Sequence, residues 1–462
     1  MGGSTSKPEI EHAQKLQAGL EECCFHAAQL LQKADVLLFC NGAGWSADSG
    51  LAVYADVAKV AAYSSRGLEY HDICRPKWVF DEPELFWGFW GQCFNDYRLT
   101  QPHEGYSIVR HWTNCLFRDS DVATSLRARI SSAEIAAIEE GVDDSPYPYE
   151  VSGQAGAFFV HTSNVDAHHF DVFEACEIRE CHGNVELYQC AGGKPERGLK
   201  GREPCQDIWR APKQYSFYVD KTTMLAPEVV PEGFDPALAE TNHWAAEDEG
   251  RAPANGTAKP AIGRVQGGAR QETLRNMREI SLELSGLASG FSKNHPVCPN
   301  CRGPARPAIL MFGDGAWLDL ESQQERCDRW EKTVGEMARE RANSPDPLRI
   351  IILEVGAGDN VRTIRVHSEE RLKDWLRSGA DAKLLRVNPD FPLPDDRELN
   401  DEGDLAGHVI SMMGKGLHCI KMMDNYMGPA SRGRPPAPSC APPGPPATHG
   451  PPPAMAPPAP PP

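Results

Sequence analysis

Asp35-Val-Leu-Leu-Phe-Cys40 leads directly into Asn41-Gly-Ala-Gly-Trp-Ser-Ala-Asp-Ser-Gly50, and this stretch decides the fold. The apolar run predicts a buried strand, and the glycines predict a tight turn into a helix. Such a turn presents backbone amides to a phosphate group. The glycine spacing differs from the dinucleotide fingerprint Gly-x-Gly-x-x-Gly, and a turn without a ligand would use the same residues. The stretch therefore predicts an α/β sheet with a candidate nucleotide cleft at its edge.

Two further segments place polar side chains after predicted strands. Ala157-Phe-Phe-Val160 is followed by His161-Thr-Ser-Asn-Val-Asp166, which puts Asn164 and Asp166 just beyond a strand. Ligands of open α/β folds bind at this end of the strands, although both residue types also cap turns. His182, in Glu180-Cys-His-Gly183, follows another strand-like segment. A neutral imidazole at this edge suits proton abstraction, and a structural histidine is the alternative.

The second half of the chain contains a crossover unit. Two apolar runs, Arg349–Val355 and Lys383–Val387, flank a helical pattern over residues 360–376. This order predicts parallel strands with a right-handed connection. Gly356-Ala-Gly358 follows the first run and repeats the strand-then-glycine arrangement. Helices are also predicted over 9–33 and 320–343, and the polar residues 120–150 predict an excursion from the domain.

Composition limits the class of protein. The 462 residues are 40% hydrophobic, enough for one large domain with insertions or for two or three smaller domains. The net charge of −18 argues against a nucleic-acid partner, because phosphate backbones attract Lys and Arg. No segment approaches the roughly 20 apolar residues of a membrane helix. The 15 cysteines, without a secretion signal, indicate reduced thiols and a cytoplasmic location, with the nucleus as the alternative.

Four of the cysteines form a candidate metal site. Cys298-Pro-Asn-Cys301 has the spacing of a zinc knuckle, and Cys190 and Cys205 offer a second pair. The second pair is spaced unusually, with 14 residues between the two cysteines, where two to four are typical. Four thiolates would make a closed, structural zinc site. The alternative is that Cys190 and Cys205 are ordinary buried cysteines.

Three segments are predicted to lie outside the packed core. Pro, Gly, Ala and Glu dominate residues 231–269, which predicts a disordered insertion over about 220–290 with a helix near 271–287. Residues 428–462 form a proline-rich tail, either inert or a ligand for a proline-recognising domain. Residues 1–8 are a flexible leader, and Gly2 with Ser6 also fits the N-myristoylation pattern.

Six motifs in order resemble the sirtuins, the NAD-dependent protein-lysine deacylases, in a divergent microbial or protist-type form. They are Gly-Ala-Gly-x-Ser-x-x-Ser-Gly (42–50), Thr-x-Asn-Val-Asp (162–166), Glu-x-His-Gly (180–183), Cys-x-x-Cys (298–301), Arg-Pro-x-x-x-x-Phe-Gly (306–313) and Val-Gly-x-Gly (355–358). The resemblance implies a Rossmann-type parallel-sheet domain with a smaller zinc-ribbon and helical module. NAD and zinc are the implied cofactors, and acyl-lysine proteins are the implied substrates.

The resemblance also implies roles for individual residues. His182 would be the general base, Asn164 would hold the nicotinamide ribose, and Asp166 would bind the carboxamide. Phe312 and Gly313 would pair with the substrate peptide. Tyr54 stands where the family has a phenylalanine that shields the sugar, whereas Val53 and Ala55 replace its Asp and Arg. The remaining expected cofactor contacts are Gly42, Ala43, Gly44, Ser46, Gly356, Gly358 and Asn388.

The implied catalytic domain covers residues 9–427. Its Rossmann-type parts are about 30–60, 155–188 and 306–420, its helical module is about 60–120, and its zinc module is about 188–210 and 295–305. The expected activity is transfer of an acyl group from lysine to ADP-ribose with release of nicotinamide. Two alternatives remain open: ADP-ribosyl transfer to protein, and a catalytically weak NAD-binding sensor or scaffold. Loss of the Asp and Arg near Tyr54 favours the last.

Overall fold

The computed structural model describes residues 7–52, 60–139, 151, 153–194, 201–212, 215–234 and 290–432. Several predictions therefore lie outside the described residues. These are the contact of Tyr54, the acylation of Gly2, the helix near 271–287 and the tail beyond residue 432. Among the described residues, no helix combines the length and apolar character needed to cross a membrane.

Nine strands and twelve α-helices make up the described part of the chain. The strands are β1 Val36–Asn41, β2 Phe158–Thr162, β3 Ile178–Glu180, β4 Gly183–Cys190, β5 Ile208–Arg210, β6 Ala305–Ile309, β7 Arg349–Val355, β8 Asp381–Val387 and β9 Val409–Met412. The helices are α1 Lys7–Ala18, α2 Leu20–Lys33, α3 Ala43–Ala47, α4 Ala61–Ser64, α5 Tyr70–Ile73, α6 Trp78–Asp81, α7 Pro83–Leu99, α8 Glu104–Trp112, α9 Asp121–Glu139, α10 Glu321–Arg341, α11 Thr363–Arg377 and α12 Gly416–Arg432, which is broken at Gly428.

Six of the strands form one parallel sheet in the order β3-β2-β1-β7-β8-β9. The apolar run in β1 is fully buried, as is typical of a parallel strand covered on both faces. Helices α2, α8 and α12 pack together on the sheet, and α9, α10 and α11 form a second group. The predicted α/β fold with a parallel sheet is confirmed.

The remaining three strands form a separate antiparallel sheet in the order β5-β4-β6. This sheet shares a second hydrophobic core with α7, whose Trp87, Phe89 and Trp90 are buried. Residues 183–188 and 306–309, expected in the larger domain, lie in this second sheet. The smaller module therefore unites the aromatic helices with the cysteine-bearing strands.

Two described segments pack on a hydrophobic core although their polar sequence predicted that they would lie outside it. Residues 121–139 form α9, which buries Val122 and Leu126 against the larger core, although its surroundings predicted an excursion. Residues 220–234, at the start of the expected insertion, pack on the second core through the buried Ala226. In both segments a few apolar side chains at suitable spacing outweigh a polar average composition.

Candidate functional site

The carboxyl ends of the six parallel strands converge on one edge of the larger sheet. From β1 the chain proceeds outward through β2 and β3 on one side, and later through β7, β8 and β9 on the other. The strand order therefore reverses between β1 and β7, and such a switch point is where open α/β sheets bind ligands. The loops that follow β1 and β7 are the two glycine turns, which places both of them at this crevice.

The two glycine turns contact each other through their backbones. Gly44 donates its N–H to the carbonyl of Gly356 over 3.0 Å. Gly356 has φ of +67°, and a Cβ built there would lie 2.4 Å from the backbone nitrogen of Trp45. A Cβ on Gly44 would lie 2.8 Å from Cα of Gly356. Glycine is required at both positions by close approach, and at Gly356 also by its left-handed conformation.

A buried polar network joins the loop after β1 to the loop after β2. Ser46 Oγ donates to Asp166 Oδ2, and Asn164 Nδ2 donates to Ser46 Oγ over 2.9 Å. Asn164 Nδ2 also contacts Asn41 Oδ1 at 3.2 Å, and Thr162 Oγ1 donates to that same oxygen over 2.7 Å. The structure thus brings together Ser46, Asn164 and Asp166, which the sequence proposed separately. Asn41 and Thr162, at the strand ends, complete the network.

One polar atom of this network is unpaired. Asn41 is fully buried, and its Nδ2 has no hydrogen-bond partner among the described residues. A buried donor without a partner is costly, and a ligand in the crevice can satisfy it. By contrast, the Ser46 hydroxyl is already engaged with Asp166 and Asn164, so it faces the protein and not open solvent.

Asp166 is held by a tight turn. The backbone N–H of His168 donates to Asp166 Oδ1 over 3.0 Å, and Ala167 between them has φ of +62°. This turn type is common for Asp after a strand. It fixes the carboxylate beside Ser46, in the crevice between the two loops. The role of Asp166 in binding a carboxamide stays a prediction.

His182 lies at the same edge, after β3, the strand next to β2. Its half-buried imidazole places Nε2 3.2 Å from Thr363 Oγ1 at the start of α11. Burial, reinforced by the Arg179 guanidinium, lowers the pKa of His182 to about 4. The imidazole is therefore neutral near pH 7 and can accept a proton. Nothing in the sequence had singled out Thr363, since it belongs to no strand end or glycine turn.

A polar side chain after β8 supports the second glycine turn directly. Asn388, after β8, donates Nδ2 to the carbonyl of Ala357 over 2.7 Å. Its Oδ1 accepts the backbone N–H groups of Asp390 and Phe391, both at 2.9 Å. Asn388 thus holds the turn 356–358 in place with its own side chain. Gly358 is exposed, and a Cβ there would meet nothing within 4 Å.

An exposed apolar strip begins beside His182. Leu310 donates its N–H to the carbonyl of His182 over 3.0 Å, and the side chains of Leu310 and Phe312 are each 39% exposed. The N–H of Phe312 is engaged with the Cys74 carbonyl at 3.0 Å, and Gly313 has φ of +71°. Phe312 and Gly313 therefore lie in an accessible segment that follows the backbone contact with His182.

His103 supports the first glycine turn from outside. Its Nδ1 accepts the Gly105 N–H at 3.0 Å, so its Nε2 carries the proton and donates to the Trp45 carbonyl at 2.9 Å. Burial lowers the pKa of His103 to about 4, which keeps this tautomer neutral. The six sequence motifs do not include His103, because its supporting contact depends on tertiary structure.

The four candidate metal-binding cysteines meet at one place in the smaller module. The sulfurs of Cys190, Cys205, Cys298 and Cys301 all lie within 4.8 Å of one another. Cys190 Sγ and Cys301 Sγ are 3.6 Å apart, close to the roughly 3.7 Å edge of a tetrahedral zinc–thiolate site. Gly193 donates its N–H to the Arg202 carbonyl over 2.8 Å, which closes the excursion between Cys190 and Cys205. This closure explains why their unusual sequence spacing does not separate them in space.

Arg202 lies against the cysteine cluster. Its Nη2 is 3.0 Å from Cys301 Sγ and 3.5 Å from Cys190 Sγ. Burial raises the pKa of the Cys190 thiol, but hydrogen bonds from the Cys205 and Gly192 amides and from Arg202 outweigh it and lower that pKa to about 6. Four thiolates around a zinc ion carry a net charge of about −2. The Arg202 guanidinium beside the cysteines would offset part of this negative charge. The donor set is therefore compatible with zinc.

Comparisons with known proteins found similarity to solved structures and none to a family model or a curated protein. A Sir2 homologue in complex with NAD aligns at 12% identity over 88% of this chain and 93% of that one, with a TM-score of 0.43. Sir2Tm bound to a propionylated peptide aligns at 14% identity over 87% and 96%, with a TM-score of 0.38. At such values the likeness carries no argument about activity. The chain is similar to Sir2 structures over most of its length.

Proposed function

We propose that this protein is an NAD-dependent protein-lysine deacylase of the sirtuin type. The observation that carries the proposal is the convergence of Ser46, Asn164 and Asp166 in one network at the sheet's switch point, with His182 after the adjacent strand. The order of the six sequence motifs supports the same proposal. The activity needs a dinucleotide site, a neutral base and a surface for a peptide, and each has a candidate here.

The residues at the crevice fit a dinucleotide. The glycines at 42, 44 and 356 let the two turns pack closely against each other at the crevice, the Cβ position of Gly358 is open, and Asn41 Nδ2 offers an unused buried donor. Asn164 would hold the ribose and Asp166 the carboxamide. Because Ser46 is engaged with Asp166, binding would require that hydroxyl to exchange partners. Bound NAD would supply the ribosyl group that accepts the acyl oxygen.

His182 would take a proton from a hydroxyl group during acyl transfer. Its depressed pKa keeps it in the accepting form over the physiological pH range. Thr363 Oγ1, 3.2 Å from Nε2, would orient the imidazole. The substrate peptide would lie along the exposed strip containing Phe312 and Gly313, with its acyl-lysine directed toward the crevice.

An NAD-binding sensor is the second candidate, and one feature favours it. Val53 and Ala55 replace the Asp and Arg of the family, so a charged contact to the cofactor that catalysis would use is missing. A sensor, however, has no need of a base such as His182.

We also propose that the four clustered cysteines bind a structural zinc ion. The sulfur separations and the adjacent Arg202 support this assignment. Such a centre would hold the smaller module together and take no part in acyl transfer. Loss of bound zinc on Cys298→Ser substitution, measured by mass spectrometry of metals, tests the assignment; undiminished zinc at this cluster would contradict it.

Product analysis separates the candidate functions. Purified protein is incubated with NAD and an acetyl-lysine peptide, and nicotinamide release, peptide mass and protein mass are measured. A deacetylated peptide formed with stoichiometric nicotinamide supports the deacylase. Nicotinamide with an increase in protein mass would indicate ADP-ribosyl transfer instead. NAD-dependent thermal stabilisation without nicotinamide release would indicate the sensor.

A further inference from the structure

A second group of metal-binding side chains lies inside the larger domain, away from the four clustered cysteines. It consists of His161 on β2 with Cys327 and Glu331 on α10, and His367 on α11 lies against Glu331 and His161. His161, Cys327 and Glu331 are each 5% exposed or less. We call these four residues the inner cluster. We propose that the inner cluster binds a divalent zinc-like metal ion.

The geometry of the inner cluster suits a tetrahedral ion. His161 Nδ1 lies 3.7 Å from Cys327 Sγ, and Cys327 Sγ lies 3.6 Å from Glu331 Oε1. Ligand atoms of a tetrahedral zinc site with one sulfur are separated by about 3.3–3.6 Å, so both distances are close to the expected edges. One ligand atom from each of the three residues lies within 4.8 Å of the other two.

His367 supplies the fourth donor. Its Nε2 is 2.8 Å from Glu331 Oε1, and its ring lies 3.8 Å from that of His161. Despite this short distance, His367 Nε2 has no aligned hydrogen-bond partner among the described residues. The 2.8 Å separation is shorter than the roughly 3.3 Å edge between a nitrogen and an oxygen ligand, so these two side chains would move apart slightly on metal binding.

The charge and chemistry of the donors favour zinc over harder cations. Two imidazoles, a thiolate and a carboxylate are the donor types of zinc sites, whereas calcium and magnesium prefer oxygen ligands. The thiolate and the carboxylate together neutralise a divalent ion, which suits a buried location. Uptake would displace the thiol proton of Cys327 to solvent.

An entry route exists at the solvent side of the inner cluster. The side chain of His367 is 19% exposed and that of Arg371, which contacts Glu331 at 3.6 Å, is 27% exposed. His367 also lies one helical turn after Thr363, the residue opposite His182 Nε2. A metal at the inner cluster would therefore tie β2, α10 and the first turns of α11 together beneath the proposed active site.

Metal content of the full-length protein tests the proposal independently of the proposed reaction. We expect Cys327→Ser to bind one zinc fewer per chain than wild type, whatever the four clustered cysteines bind. Cys176→Ser, a buried cysteine outside both clusters, is the matched control and should lose none. Equal zinc content in wild type and Cys327→Ser would overturn the proposal.

A second measurement covers the case in which Cys327→Ser fails to fold. His367→Gln alters only the half-buried donor at the rim of the inner cluster. In the Cys298→Ser background, competition with a chelator should show at least about tenfold weaker zinc binding after the His367 change. Cobalt bound in that background should give a thiolate charge-transfer band. Unchanged affinity on His367→Gln, or no such band, would overturn the proposal.

Discussion

Ser46 Oγ donates a hydrogen bond to Asp166 Oδ2, which links the turn after β1 to the turn after β2. Both side chains are buried, and Asn164 Nδ2 donates to the same hydroxyl over 2.9 Å. The residues proposed to bind the cofactor are therefore also partners that hold the crevice together. Under this proposal, cofactor binding and the stability of the fold would depend on the same side chains.

Removing the Ser46 hydroxyl should destabilise the fold. Ser46→Ala leaves the buried Asp166 carboxylate without one donor, which costs about 1–3 kcal/mol. In denaturant unfolding, the change should appear as a lower midpoint concentration, while the slope of the free energy of unfolding against denaturant concentration stays constant. Ser107→Ala, which removes an exposed hydroxyl that donates to the Glu104 carbonyl of its own helix, should change the free energy of unfolding by less than about 0.5 kcal/mol. Equal effects of the two substitutions would contradict this view of the network.

The contact between the two glycine turns predicts that alanine substitution destabilises the protein at Gly356 but not at Gly358. Gly356→Ala would strain a left-handed residue and press a Cβ against Trp45 backbone, which together cost about 2–4 kcal/mol. Gly358→Ala has open space and should leave the free energy of unfolding nearly unchanged. Thermal unfolding of both variants measures the difference. A stable Gly356→Ala protein would show that the turns do not pack as described.

The depressed pKa of His182 predicts an unusual acid limit for catalysis. The imidazole must be neutral to accept a proton, so turnover should persist below pH 6 and fall to half near pH 4. The measurement is initial rate against pH, with circular dichroism at each pH to verify that the protein is folded there. A midpoint near 6.5, the ordinary value for histidine, would show that burial does not act on His182 during turnover.

Burial of His169 predicts a loss of stability in acid. Its pKa is lowered to about 4 by burial, whereas the unfolded chain binds a proton near 6.5. Between these values the unfolded state holds more protons, so the free energy of unfolding falls as pH falls. His169→Phe should reduce the slope of the free energy of unfolding against pH by up to about 1.4 kcal/mol per pH unit. His26→Gln, which changes an exposed histidine, should leave this slope unchanged. Identical slopes in wild type and His169→Phe would contradict the assignment.

The parts of the fold that the sequence predicts are the segments with an unambiguous hydrophobic pattern. β1, β7 and β8 are apolar runs buried on both faces, and their parallel pairing follows from the helix between β7 and β8. The single helix predicted over 9–33 is interrupted at Gly19, which separates α1 from α2. α9 was missed because its few apolar side chains are diluted by polar ones.

The candidate site was predictable only where its residues follow strands or glycines. The sequence can place Asn164, Asp166 and His182 at one edge of the sheet because parallel strands have their carboxyl ends on the same side. Thr363 and Arg202 were missed because their partners, His182 and the clustered cysteines, are distant along the chain. The inner cluster was missed for the same reason, since its ligands come from three separate elements.

Acetyl-lysine-dependent release of nicotinamide from NAD, compared between wild type and His182→Ala, tests the central claim most directly. Wild type should release nicotinamide in step with peptide deacetylation. His182→Ala should lose about 10²–10⁴-fold in rate while binding NAD with nearly unchanged affinity in calorimetry. Deacetylation at the wild-type rate by His182→Ala, or no peptide-dependent release by wild type, would contradict the account.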